Sequence, residues 1–382
     1  MNKQSPVIEI PKHRLEKVAA DPVKSARLFR LIYINQPCEG ISRKKFRGNF
    51  RYYLNGEEIK DEMTLSRIKK LAIPPAWENV WICKDSNGHL QATGIDVLGR
   101  KQYRYHPHWN KMRSETKFFR LYEFGKQLPA IRQQLQKDIA LPGLPLNKIL
   151  AAMLFLMEKT SIRIGNSFYE KLYGSFGLTT LKNKHVDVKG HTIRFTFKGK
   201  KGVQHEISLR SKRLSRIITS CMEIPGKELF QYFDENGNRQ PVESGMLNDY
   251  IHQLSGSEFS SKDFRTWSGT LYALAACIQK GDCEDEKQLK HKTVEVFDEV
   301  SRQLGNTRTV CKKYYVHPVI PELFEKGELK KYLEKPDDPG PGNSLYTPEE
   351  KILMKILEDH SHCTKMIEIN GENKPDKSQE KS

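Results

Sequence analysis

The strongest constraint on the fold lies between residues 185 and 209, where apolar side chains fall on alternate positions. Val186 and Val188 come first, then Ile193, Phe195 and Phe197, then Val203, His205, Ile207 and Leu209. A period of two belongs to strands with one buried face. Lys189-Gly190 and Gly199-Lys200-Lys201-Gly202 fall where the chain must reverse, because glycine tolerates the backbone angles of tight turns. The reading is a three-stranded antiparallel sheet with a lysine at a glycine-framed tip. A different pattern precedes it: Ile149, Leu150, Met153, Leu154, Leu156 and Met157 recur at helical spacing and make the best core helix in the chain. Sheet and helix alternate along the chain in separate stretches, so the fold class is α+β.

Length and charge narrow the setting. At 382 residues the chain can hold two or three domains. Lys and Arg number 64 against 47 Asp and Glu, a formal charge of +17. Such an excess calls for a polyanionic partner, of which nucleic acid is the commonest, although a soluble basic protein without that role could carry the same balance. Residues 1 to 11 are polar, without the apolar stretch of a signal peptide, and no apolar run reaches membrane-spanning length; a cytoplasmic protein is expected. The seven cysteines are scattered, with no Cys-x-x-Cys pair, and read as reduced thiols. No phosphate-cradling loop or dinucleotide fingerprint is visible, and His106 with His108 lack the partners a metal site needs.

The N-terminal half is mixed. Lys44 to Tyr53 interleaves basic and aromatic residues and ends at an Asn55-Gly56 turn. Residues 67 to 88 read as a helix, a proline turn and a strand. Arg100-Lys101-Gln102-Tyr103-Arg104-Tyr105-His106 then reads as a strand with Gln102, Arg104 and His106 on one face and Tyr103 and Tyr105 on the other. These side-chain types reach phosphates and base edges. Residues 109 to 140 look helical and basic, and a boundary is expected near 125 to 145, punctuated by Pro142-Gly143 and Pro145. Three parts follow: 1–130 with antiparallel strands, 131–335 mainly helical with the three-stranded sheet, and 336–382 as linker, short helix and polar tail.

Three further stretches carry chemistry-bearing residues. In Ile162-Arg163-Ile164-Gly165 an arginine is held against a core, which is costly unless its charge meets an anion, be it a structural carboxylate or a ligand. Arg265 follows Lys262 in a helix that Ser260 or Ser261 can cap. Asn306 to Pro318 contains Tyr314 and Tyr315 among Lys312, Lys313 and His317. Gly305 ends one helix there and Asn306 is placed to cap the next. A tyrosine with a pKa of about 10 attacks phosphorus poorly unless cations stabilise its phenolate or the transition state.

Leu304-Gly305-Asn306-Thr307, followed nine residues after the asparagine by Tyr315, resembles the nucleophile segment of type IB DNA topoisomerases and their tyrosine-recombinase relatives. The Gly-Arg-Lys-Gln-Tyr-x-Tyr run is similar to a DNA-contacting strand of the bacterial, poxvirus-like members. The resemblance implies Tyr315 as nucleophile with Tyr314 as competitor, Arg163 and Arg265 as the catalytic arginines, and Lys200 as general acid with Lys198 and Lys201 as alternatives. It also implies DNA contacts from Arg100, Lys101, Gln102, Tyr103, Tyr105 and Lys262. Asn306 departs from the poxvirus pattern, which has histidine there; an asparagine can donate a hydrogen bond but not shuttle a proton. Lys262 stands where recombinases carry histidine, which favours a topoisomerase over a recombinase or a non-catalytic DNA-binding protein. The implied enzyme clamps double-stranded DNA between two domains as a monomer on the bacterial nucleoid. It relaxes DNA through a 3′-phosphotyrosyl link and needs no ATP, metal or other cofactor.

Overall fold

The computed structural model describes residues 7–10, 22–35, 38–97, 99, 101–256, 259–281, 285–333, 345–361 and 365–368. Arg100, the linker read at 335–342 and the tail from Asn370 lie outside the described residues. Contacts divide the chain into two units, residues 1–120 with 361–382, and residues 121–360.

The first unit opens with β1 (Val7–Ile10) and α1 (Pro22–Leu28). It is built on an antiparallel six-stranded sheet ordered β4-β3-β2-β5-β6-β7. Its strands are β2 (Ile41–Phe46), β3 (Asn49–Leu54), β4 (Glu57–Glu58), β5 (Glu78–Ile82), β6 (Leu90–Ile95) and β7 (Lys101–Tyr105). The basic, aromatic run at 44–53 spans two strands: Phe46 pairs with Asn49, so the chain reverses at Arg47-Gly48, where φ is 48° and 86°. Positive φ at both turn residues is the hairpin geometry that Asn-Gly advertises, and an arginine in the first place hides it. Asn55-Gly56 makes the next such turn, into β4.

Cations and rings share the faces of this hairpin. The Arg51 guanidinium lies 3.9 Å from the Phe46 ring centre, and that of Arg43 4.2 Å from Phe50. Arg43 also donates to the carbonyls of Pro74 and Trp77, at 3.1 and 2.6 Å. One sheet face buries Ile41, Val80, Ile82 and Ala92 with Ile68 of α2 (Glu62–Lys70), whose first turn is capped by the Asp61 carboxylate. A second cluster joins Ala26, Phe29 and Leu31 to Trp109 and Met112 at the start of α3 (Pro107–Ile139).

Pro129 lies inside α3, and the two units divide after Arg120, also within this helix. Proline removes one helical hydrogen bond and costs about 3 kcal/mol in a helix interior. Burial of Phe124, Leu128, Ile131 and Leu135, each worth about 1.5–3 kcal/mol, offsets that cost. The Gly125 carbonyl, which the missing N–H would have served, accepts from the Tyr346 hydroxyl at 2.8 Å instead.

The second unit has one large core. α4 (Leu146–Thr160) buries Ile149, Leu150, Met153, Leu154, Leu156 and Met157 and stops at Ser161, whose φ of 54° is left-handed. α5 (Ser167–Tyr173) follows. Then β8 (Val186–Lys189), β9 (Thr192–Lys198) and β10 (Gln204–Arg210) form the expected antiparallel sheet, with the β9–β10 tip at Gly199 to Gly202.

After α6 (Lys212–Glu223) comes a small hairpin of β11 (Gln231–Phe233) and β12 (Arg239–Pro241). Next come α7 (Ser244–Ser255), α8 (Ser261–Lys280), α9 (Glu286–Leu304), α10 (Arg308–Tyr314), α11 (Val319–Glu325) and α12 (Pro348–Ser361). β13 (Lys365–Glu368) pairs antiparallel with β1.

Candidate active site

Four segments of the second unit converge. α4 ends at Ser161 and releases Arg163 into an irregular turn, and α8 carries Arg265 in its second turn. α9 ends at Gly305, which adopts φ 59° and lets the Asn306 N–H return to the Ser301 carbonyl at 3.0 Å. Only glycine takes that angle without strain. Asn306 does not cap α10. That task falls to Thr307, whose hydroxyl accepts from the Val310 N–H, and the asparagine side chain is left to turn elsewhere. Because Asn306 stands outside a seven-residue helix and Tyr315 is its C-terminal cap residue, the nine-residue spacing does not put them on opposite faces of one helix.

Arg163 donates from Nη2 to the Gly305 carbonyl at 3.1 Å and to Asn306 Oδ1 at 2.5 Å. Burial, reinforced by the neighbouring Arg265, pulls its pKa down to about 10, still leaving it charged at neutral pH. Arg265 is 5% exposed and is held by the carbonyls of Ser161 and, at 2.9 Å, Leu304. Its guanidinium lies 5.2 Å from the Tyr315 ring centre. Tyr315 itself is half-buried, whereas Tyr314 is 41% exposed beside the Lys313 ammonium.

The tyrosine backbone is seated against α8. A Cβ on Gly269, one turn beyond Arg265, would come within 2.6 Å of the Tyr315 carbonyl oxygen and 3.0 Å of its Cβ. Next along, the Thr270 hydroxyl accepts from the His317 N–H at 3.1 Å, and its one proton is shared between the Thr266 carbonyl at 2.9 Å and the Tyr315 carbonyl at 3.3 Å. Neither Gly269 nor Thr270 was singled out by the sequence reading; a small residue one turn after an arginine is a common helix pattern.

Two buried donors in this cluster, Arg265 Nε and Asn306 Nδ2, have no hydrogen-bond partner among the described residues. Buried polar groups are rarely left so, because each costs about 1–3 kcal/mol. Donors without acceptors, in a cluster with two guanidinium groups, have the chemistry that an anion would satisfy.

Several of the remaining residues singled out in the sequence are exposed. Lys200 is exposed at the β9–β10 tip, with Lys198 and Lys201 also exposed; Lys201 adopts φ 62° there. Lys262 is exposed in the first turn of α8. In the first unit, β7 is an edge strand. Its Lys101 is exposed, Tyr103 is 46% exposed and stacked on Tyr105 at 5.9 Å, and the Gln102 amide donates to Asp96 at 2.8 Å. Arg104, on the Gln102 face, donates to the Ala72 carbonyl at 3.0 Å.

Sequence reading also passed over His205. Its place in the apolar alternation marked it as a core position, yet its pKa is lowered by burial and by Arg163 and Arg265, which puts it beside the cluster.

Residues 106–335 match the family described as the catalytic core of eukaryotic DNA topoisomerase I, and residues 49–96 that described as the N-terminal domain of bacterial DNA topoisomerase IB. The DNA topoisomerase 1B of Acanthamoeba polyphaga mimivirus is 36% identical over 310 residues, covering 79% of this chain and 92% of the viral protein. That of Vaccinia virus (strain Copenhagen) is 26% identical over 257 residues, 65% of this chain and 76% of its own. The chain belongs to the type IB DNA topoisomerases.

Proposed function

We propose that this protein relaxes supercoiled DNA by cutting and resealing one strand, with Tyr315 as the nucleophile. The observation that carries the assignment is the pair of unpartnered buried donors, Arg265 Nε and Asn306 Nδ2, in the cluster where Arg265 lies over the Tyr315 ring. A DNA phosphate supplies the acceptors these groups lack.

The phenol oxygen bonds to phosphorus, its proton passing to solvent, and the bond from phosphorus to the 5′ oxygen breaks. Negative charge grows on the non-bridging oxygens in the transition state. Arg163, Arg265 and the Asn306 amide stabilise it there more than in the ground state. The departing 5′ oxygen is strongly basic and takes a proton from the Lys200 ammonium. The product is a 3′-phosphotyrosyl link and a free 5′ hydroxyl. Rotation about the uncut strand relaxes the duplex, and the reverse attack reseals it. The phosphotyrosyl bond retains the energy of the bond it replaced, so relaxation runs on supercoil strain with no nucleotide triphosphate.

Lys101, Gln102, Tyr103 and Tyr105 on β7, and Lys262 at the start of α8, are assigned to double-stranded DNA. The protein works as a monomer, and the bacterial nucleoid is its setting. Incubation with supercoiled plasmid in EDTA, without ATP, tests the reading. Wild-type protein and Tyr314→Phe should relax the plasmid and Tyr315→Phe should not; a requirement for ATP or for Tyr314 would overturn it.

A further inference from the structure

His205 occupies a slot made by two glycines. It sits on β10 opposite Phe197 of β9, with the rings stacked at 5.0 Å and 19°. A Cβ added at Gly199, the first residue of the hairpin tip, would lie 2.6 Å from His205 Cδ2 and Nε2. A Cβ added at Gly305 would lie 2.6 Å from His205 Cε1. One edge of the imidazole therefore abuts the residue before Lys200, and another abuts the residue before Asn306. Gly305 in turn offers its carbonyl to Arg163. Any side chain at either glycine would push the ring out. Burial and the two nearby guanidinium groups favour the uncharged imidazole, so the slot adds no third positive charge to the cluster.

We propose that His205 is a positioning residue: it fixes the lysine-bearing hairpin tip against the Gly305-Asn306 corner, so that the acid and the phosphate-binding donors address the same scissile phosphate. This rests on the assignment of Lys200 as general acid. Among the described residues no backbone hydrogen bond joins the tip to Gly305 or Asn306: Gly199 N–H bonds to Val203 at 2.7 Å and Gly202 N–H to Gly199 at 3.1 Å within the hairpin, and the Lys198 carbonyl accepts from the Phe176 N–H at 2.8 Å. Displacing a catalytic group by about 1 Å can cost on the order of 100-fold in rate.

The test is single-turnover cleavage of a duplex oligonucleotide carrying either the ordinary phosphodiester or a 5′-bridging sulfur, whose thiolate leaves without protonation. His205→Ala should cleave ordinary DNA about 100-fold more slowly and return to within about tenfold of the wild type on the sulfur substrate, as Lys200→Ala should. Gly199→Ala, at φ −92° and ψ −167° that any residue adopts, keeps the histidine but collides with it. It should show the same loss and the same rescue, and it carries the test alone if His205→Ala fails to fold. The Gly199→Ala/His205→Ala double variant should be no slower than the slower single variant, because the added methyl group then has room. A wild-type rate for His205→Ala, or losses that multiply in the double variant, would overturn the inference. So would a His205→Ala defect that sulfur does not rescue while it rescues Lys200→Ala. If sulfur fails to rescue Lys200→Ala itself, the general-acid assignment is wrong, and the His205 inference falls with it.

Discussion

The role proposed for Asn306 rests on the direction in which its amide is turned. Oδ1 takes a hydrogen bond from Arg163, which leaves the NH₂ group to face whatever acceptor arrives. Asn306→Asp keeps the acceptor for Arg163 but removes the donor and adds a charge that repels phosphate. Strand cleavage should fall by roughly 100- to 1,000-fold, with oligonucleotide affinity at fixed salt changed much less; equal losses in both would show that Asn306 serves binding alone. At this scale sequence reading reached the arginines, Asn306 and the tyrosine pair through the resemblance, not through periodicity. Spacing alone placed Asn306 as a helix cap, and Thr307 holds that position because its hydroxyl reaches the Val310 N–H. His205 was invisible because an alternating strand pattern cannot separate a ring that fills a core from one wedged against a catalytic corner.

Among the elements, α12 bears on the helix that carries Arg265. Its Glu350 is 2% exposed and accepts from the Arg132 guanidinium at 2.6 and 2.7 Å and from the Trp267 indole N–H at 3.0 Å. Burial alone would raise the Glu350 pKa, but the hydrogen bonds from Arg132 and the Thr347 N–H hold it below the ordinary glutamate value. Arg132 also pairs with Glu158, at 2.5 Å, so removing Glu350 strands chiefly the Trp267 N–H. Glu350→Ala should therefore lower unfolding stability by about 1–3 kcal/mol in urea titration, and an unchanged stability would mean that the network is not coupled to the core. Tyr346→Phe strands the Gly125 carbonyl and should cost about 1–3 kcal/mol by the same measurement. No local pattern could announce these contacts. Tyr346 and Gly125 are far apart in sequence, and although residues 109 to 140 read as helical, the burial that keeps α3 whole across Pro129 is tertiary. The three-stranded sheet was legible because period-two burial and glycine turns agree, and the β2–β3 reversal was not, because Arg47 stands where such turns favour Asn, Asp or Gly.

For the whole molecule, charge and buried histidines set the response to solution conditions. A formal +17 predicts DNA binding that weakens steeply with salt. If about 6–10 phosphates are contacted, affinity should drop on the order of 1,000- to 100,000-fold between about 50 and 200 mM salt; a flat titration would exclude backbone-dominated binding. His89 and His106 of the first unit both have lowered pKa values, His106 to about 4, chiefly through burial. Their Nδ1 atoms accept from the N–H groups of Ile34 and His108, as neutral rings do. Both rings bind protons more readily once unfolded, so stability should decline as pH falls below the ordinary histidine value of 6.5 and continue down toward about 4. Melting temperatures at pH 7.5, 6 and 5 should step downward, and His106→Gln should flatten the trend; an unchanged Tm from pH 7.5 to 5 would contradict it. Family and fold class were readable before any coordinates, because separate motifs for the strand around Gln102 and for the Gly305–Tyr315 corner pointed the same way. The most direct test of the account is to trap the covalent complex on a nicked duplex oligonucleotide and map the modified peptide. The account predicts a DNA 3′-phosphate joined to Tyr315; an adduct on Tyr314, one made through a 5′-phosphate, or one that survives Tyr315→Phe would contradict it.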